Sequence, residues 1–188
     1  MQIRENLRDL GELNISPLAD AIESFPSAAW SEEQVRQKRY AEVHYNTESV
    51  IMVFCDHDKW PAIDVFKGAG WNLLHEAALP LMHEIIENCY LRGGTIIRAM
   101  AAKLKAGTNI RTHTDAHDSF RCSHRIHIPI TTNNSVRFFI DGRPHQLEVG
   151  TAYEVNNQKR HGVMNGGISD RITFIFDYLP PAGAVVSK

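Results

Sequence analysis

Apolar and polar positions divide the chain into two regimes. Up to Tyr90 the dominant spacing is helical. From about Asn72 to Tyr90, Leu74, Ala78, Leu81, Ile85 and Cys89 recur three or four positions apart, the stripe of a helix with one face on a core. Pro80 falls inside that stripe and either opens the helix in its first turn or kinks it. Gly93-Gly94 ends it. Upstream, Ser31 with Gln34 has the form of a capping box opening a short polar helix toward Arg39. Val50 to Phe54 is a continuous apolar run, the pattern of a strand buried on both faces.

Past Gly94 the period shortens. Thr95–Leu104, Asn109–Asp115, Arg125–Thr131, Val136–Ile140, His145–Val149, Ala152–Val155 and Arg171–Tyr178 read as short strands. Asp141-Gly142 is a hairpin turn of the primed type between two of them. Short strands at near-regular spacing predict a sandwich or jelly roll, mainly β with flanking helices. We expect one domain over residues 1–188. Its mixed part, 1–93, packs helices on one sheet of a β core spanning 94–180.

Composition narrows the setting. A chain of 188 residues with 43% hydrophobic content suits one domain with a sizeable core. A formal charge of −2 gives no reason to expect a nucleic-acid or membrane partner. The longest apolar runs are too short to span a bilayer, and no signal for secretion opens the chain. Three widely spaced cysteines, Cys55, Cys89 and Cys122, argue against a disulfide framework. A reduced, cytoplasmic setting is the expectation.

The candidate chemistry lies in His113-Thr114-Asp115, His161 and Arg171. On a strand, residues two apart share a face, so His113 and Asp115 point together. Two imidazoles and a carboxylate form the facial set that holds non-haem Fe(II) with open positions. His-x-Asp alone is weak, because ten histidines and 22 acidic residues produce chance pairs such as Asp56-His57-Asp58 and His117-Asp118. The competing assignments are polar surface for the pair and an exposed loop for His161. His127 and His145 compete for the third ligand position. Arg171 heads an apolar strand, where a buried guanidinium needs an anion; Asp177 or Asp170 could supply it as a structural ion pair. Arg125 and His127 share a face of their strand and suit a second carboxylate, or else a solvated outer face.

The order Gly107…His113-Thr114-Asp115…Arg125-Ile126-His127-Ile128-Pro129…Gly150…Asn156…His161…Asn165…Arg171 resembles the aspartyl/asparaginyl β-hydroxylase family. The likeness runs over roughly Thr95 to Tyr178, with an echo in His44 to Phe54. It implies a double-stranded β-helix carrying an Fe(II)/2-oxoglutarate dioxygenase that uses O2. It also implies that His113, Asp115 and His161 bind iron, that Arg171 pairs with the 5-carboxylate of 2-oxoglutarate, and that Arg125 and His127 line a pocket for carboxylates of substrate or cosubstrate. Some members of the family have glycine where this chain has Asp115. Within that frame, His127 is assigned to cosubstrate and Arg125, with Arg121 and Asn157, to substrate. The expected substrate bears a carboxylate: a free amino acid, a derivative of one, or an aspartyl or asparaginyl residue in a peptide. The segment between Asp115 and Arg125 is longer than in peptide-hydroxylating members. The alternative is a cupin-like zinc hydrolase, or a metal-dependent small-molecule binding protein, on the same three ligands.

Overall fold

The computed structural model describes residues 3–32 and 41–181. Its strands are β1 (Leu7–Glu12), β2 (Thr47–Cys55), β3 (Val65–Lys67), β4 (Thr95–Leu104), β5 (Asn109–His113), β6 (His124–Thr131), β7 (Val136–Ile140), β8 (Arg143–His145), β9 (Thr151–Val155), β10 (His161–Asn165) and β11 (Arg171–Leu179). The helices are α1 (Ser16–Glu23), α2 (Ala29–Glu32), α3 (Ala41–His44), α4 (Trp71–Cys89) and α5 (Asp118–Cys122). The strands form two antiparallel sheets, one ordered β1-β9-β6-β11-β4-β2-β3 and a smaller one ordered β5-β10-β7-β8. This is the jelly roll that the strand pattern predicts.

Each face of the large sheet has its own core. Leu18 and Ile22 of α1, with Leu74, Ala78, Leu81, Met82 and Ile85 of α4, pack on Val50, Met52, Ala99, Ala101, Ile126, Ile128, Phe174 and Phe176. Between the sheets, Leu104, Tyr153 and Val155 meet Val136, Phe138, Ile140 and Val163. The helix α4 runs through Pro80 rather than starting there. Interior proline costs roughly 3 kcal/mol. Six buried apolar side chains on the same helix, each contributing about 1.5–3 kcal/mol, outweigh it.

Several expectations shift. Residues before Gly94 do more than cover a sheet, since β1, β2 and β3 are strands of it. The expected strand at His145–Val149 is instead β8, ending at His145. Beyond it, Leu147 turns into the core between the sheets, and the Glu148 N–H donates to the Tyr153 hydroxyl. The capping-box helix begins within α2, but Gln34 and the remainder toward Arg39 lie outside the described residues. β10 is not among the strands that the pattern predicts, because Gly162 and Asn165 dilute its apolar content; pairing on both sides, to β5 and β7, makes it a strand.

Register then places the chemistry. On β11, Asp177 lies opposite Arg98 of β4 and Arg125 of β6, and Ile175 lies opposite Met100 and His127. Arg171, Ile175 and Asp177 therefore share one face with Arg98, Arg125 and His127, the face toward the small sheet. In that small sheet, His161 pairs directly with His113, while Val163 pairs with Ile110. The extra residue on β5 is a bulge, a device that re-aims side chains. Gly162 sits against it, and a Cβ there would lie 2.9 Å from the Ile110 carbonyl oxygen. Gly162→Ala is expected to destabilise the fold by about 1–3 kcal/mol and to weaken divalent-metal binding by separating the two histidines. Denaturant unfolding and metal titration check this; wild-type values in both would contradict it.

Candidate metal centre and its flanking chambers

His113 ends β5 and His161 opens β10, with ring centroids 4.3 Å apart. Each ring is fixed by its own strand. His113 Nδ1 donates to the Arg111 carbonyl at 2.8 Å, and His161 Nδ1 to the Lys159 carbonyl at 3.0 Å. A carbonyl only accepts, so both Nε2 lone pairs remain available. Burial pushes the His161 pKa down, against the pull of Asp115, and favours the neutral imidazole that ligates metals. His161 is thus a buried strand residue, not an exposed loop histidine.

Asp115 reaches the same place by another route. β5 stops at His113, so the shared-strand-face argument does not hold as stated. Instead the Asp115 N–H donates to the Asn157 carbonyl at 3.1 Å, and Arg125 Nη1 grips Oδ2 at 2.8 Å. Oδ1 stays 3.7 Å from His113 Nε2. One ligand atom from each of His113, Asp115 and His161 lies within 4.8 Å of the others. Two neutral imidazoles and a carboxylate so arranged fit a divalent iron.

Arg171 faces a cleft shared with both histidines, His127, Phe138, Ile110 and Val163. It is 5% exposed, and Nη2 has no hydrogen-bond partner among the described residues. The Phe138 ring lies 5.9 Å from its guanidinium carbon, and burial pushes its pKa down to about 10. Neither expected structural partner is used: Asp170 accepts from the Ala106 N–H, and Asp177 is held by Arg98 and Arg125. A desolvated guanidinium beside a metal site is a receptor for a carboxylate.

The substrate residues expected from the sequence stand differently. Arg125 donates Nε and Nη2 to Asp177 at 2.8 and 3.0 Å, and Nη1 to Asp115. Its fork is filled by two carboxylates of the protein, and it holds Asp115 in place. Arg121 lies on α5 with a 59% exposed side chain and pairs only loosely with Asp118, at 3.9 Å. Asn157 is buried, and its backbone carbonyl anchors Asp115. His127 lines the Arg171 cleft, as expected, and His145 lies away from the centre on β8.

Sequence reasoning missed the other half of the site. A second chamber of about 270 Å³ adjoins His113, Asp115 and Arg125 on the side away from Arg171. Its further walls include His57, Arg98, His117, Phe54, Met100 and Phe120. Arg98 is fully buried; it pairs with Asp177 at 3.0 Å and donates to Ser119 Oγ at 2.6 Å and to His57 Nε2. The two discounted acid–histidine pairs supply His57 and His117, whose rings stack 4.4 Å apart. An arginine inside the apolar run Ile96 to Ala102 was the available signal for Arg98.

Asp177 joins these parts. Burial would raise its pKa, but Arg125 and Arg98 hold it below the ordinary carboxylate value. A depressed folded value contributes stability above the unfolded pKa of about 3.9, and that contribution is lost as pH falls through the folded value. Asp177→Asn should destabilise the protein by about 3–5 kcal/mol at neutral pH and flatten the acid limb of its stability curve. Urea melts between pH 3 and 7 check this, and an unchanged acid limb would contradict it.

Known proteins carry related folds and sequence. An oxidoreductase of the 2OG-Fe(II) oxygenase family from Burkholderia pseudomallei aligns with TM-score 0.56 and 17% identity, over 93% of this chain and 94% of that one. The viral collagen prolyl hydroxylase of Paramecium bursaria Chlorella virus-1, solved with 2OG, aligns with TM-score 0.57 and 9% identity, over 95% and 97%. At these identities the likeness establishes the double-stranded β-helix alone. No curated protein sequence matches the chain. The family model described as aspartyl/asparaginyl beta-hydroxylase matches residues 20–181. The chain belongs to that family and is a hydroxylating dioxygenase that uses Fe(II), 2-oxoglutarate and O2.

Proposed function

We propose that His113, Asp115 and His161 hold the iron, that Arg171 and His127 receive 2-oxoglutarate, and that the chamber beyond Asp115 receives substrate. The observation that carries this reading is the buried guanidinium of Arg171, its Nη2 without a hydrogen-bond partner among the described residues, in one cleft with both histidines. The bound iron and cosubstrate supply oxidative decarboxylation to succinate and carbon dioxide, with one oxygen atom passed to a substrate C–H bond. The protein's part is to bind, orient and exclude water. Arg171 fixes the distal carboxylate, the Arg111 and Lys159 carbonyls set the histidine tautomers, and Arg125 keeps Asp115 Oδ2 engaged so that Oδ1 faces the centre. A zinc hydrolase needs a general base beside the open position. Among the described residues lining either chamber, Asp115 is the sole carboxylate, and the ligand set claims it.

We infer that the substrate is a small carboxylate-bearing molecule of amino-acid type. The family description points that way, and the walls are a few apolar and aromatic side chains. One domain is the working unit, because strands from both sides of Gly94 share one sheet. A reducing, cytoplasmic setting suits Fe(II) and three free cysteines. Among the described residues no helix is long and apolar enough to cross a membrane. The charge of −2 offers nothing to nucleic acid.

Two substitutions test these roles. Arg171→Lys loses the planar fork, so the KM for 2-oxoglutarate should rise strongly while iron binding is retained. Unchanged cosubstrate binding by calorimetry would make Arg171 structural. Arg125→Ala releases Asp115 and is expected to weaken Fe(II) binding by about 10- to 100-fold, with lesser loss of folding. Anaerobic metal titration decides it: wild-type affinity for Fe(II) would remove Arg125 from the bracing role.

A further inference from the structure

The chamber beyond Asp115 has walls chemically unlike those of the Arg171 cleft. Val43, Phe54, Met100 and Phe120 make it apolar, and its polar atoms are largely committed. Arg98 Nη2 donates to His57 Nε2, so that nitrogen accepts and cannot receive a ligand's proton. The Ser119 N–H donates to His117 Nδ1, which leaves the proton of His117 on Nε2 as a donor. Arg98 Nε is buried with no hydrogen-bond partner. The Phe120 ring lies 4.2 Å from the Arg98 guanidinium carbon and 4.5 Å from that of Arg125, which occupies its face for cations. Among the described residues Asp115 is the sole acid on the wall, and it is spoken for. Among the described residues the chamber offers a donor at His117 and no uncommitted carboxylate to balance an ammonium group.

Charge balance points the same way. Arg98, Asp177, Arg125 and Asp115 cancel as a set, as do Lys103 and Glu48 at 3.1 Å. Dipositive iron would cancel the dianion 2-oxoglutarate. With Arg171 counted in, the loaded site as a whole would carry one net positive charge. Uncompensated buried charge is costly, and a monoanion removes the excess where a zwitterion does not.

We propose that this chamber takes its substrate as a monocarboxylate with an uncharged, apolar body, such as an N-acylated amino acid. A free zwitterionic amino acid and an internal peptide residue are the forms it disfavours. The inference rests on the metal and cosubstrate roles given above. The segment 116–123 matters here, because His117, Ser119 and Phe120 either line the chamber or hold its walls. The substrate it suits is compact.

The test uses the intact protein with Zn(II) in place of iron and 2-oxoglutarate present. Calorimetry compares N-acetyl-L-leucine, L-leucine and N-acetyl-L-leucinamide, and the corresponding trio built on proline. At least one N-acetyl acid should bind about 30-fold or more tighter than its free amino acid and its amide. With Fe(II), that acid alone of its trio should accelerate succinate release. Equal or tighter binding of the zwitterion, equal binding of the amide, or no binding of either N-acetyl acid overturns the proposal. The 2-oxoglutarate titration in the same series separates the two readings. If it binds and the trio order is wrong, only the chamber assignment falls; if it fails to bind, both fall.

Discussion

Asp177 is the constraint on which the rest of the site depends. It sits on the middle strand of the large sheet with no exposure, between Arg98 and Arg125 on the neighbouring strands. One carboxylate cannot neutralise two guanidiniums, and an unbalanced charge at that depth would be strongly destabilising. The balancing group is Asp115, which comes from the loop after β5. The same pull that completes the ion-pair set therefore brings Asp115 to the candidate metal centre. This explains how a residue beyond the end of its strand is placed without the ladder that places His113.

Along β11 the inward face carries two charged regions. The cationic Arg171 stands at one end and the balanced set of Asp177, its two arginines and Asp115 at the other. Six residues of extended strand separate them by roughly 20 Å. Between them lies an apolar rung of Ile175, Met100 and the ring of His127. The three candidate ligands, His113, His161 and Asp115, come from the opposite side, on β5, β10 and the loop. One end of the cavity offers the Arg171 guanidinium, and at the other Asp177 and Asp115 already take up the guanidiniums of Arg98 and Arg125, with the candidate metal centre between.

Much of this was legible in the sequence, and the reasons for the rest are physical. The α4 stripe, β4, β7 and the Asp141-Gly142 turn follow from local periodicity, and the triad with Arg171 from residue type and order. Contacts that depend on register were invisible. Arg125 and His127 do share a face, as alternation requires. Alternation cannot show that Asp177 stands opposite Arg125, and so cannot reveal that the guanidinium is already filled. His57 and His117 looked like chance pairs because sixty positions separate them in the chain; stacking across the chamber is a tertiary fact. β10 escaped notice because pairing on both sides, rather than its own composition, makes it a strand.

The stretch between Asp115 and Arg125 contributes to both the ion-pair set and the chamber wall. Its helix α5 lays Phe120 against the guanidiniums of Arg98 and Arg125 and sends Ser119 to hydrogen-bond with Arg98. A ring in that position keeps water off the ion pairs. Two unit charges about 4 Å apart attract by about 1 kcal/mol in water and by about 4 kcal/mol at an effective dielectric constant of 20. Shielding therefore strengthens the grip of Arg125 on Asp115, and with it the orientation of the ligand. The same ring walls the chamber in which substrate would lie, where exclusion of water also protects reactive intermediates from side reactions. This stretch couples the stiffness of the candidate metal site to the size of molecule that can approach it.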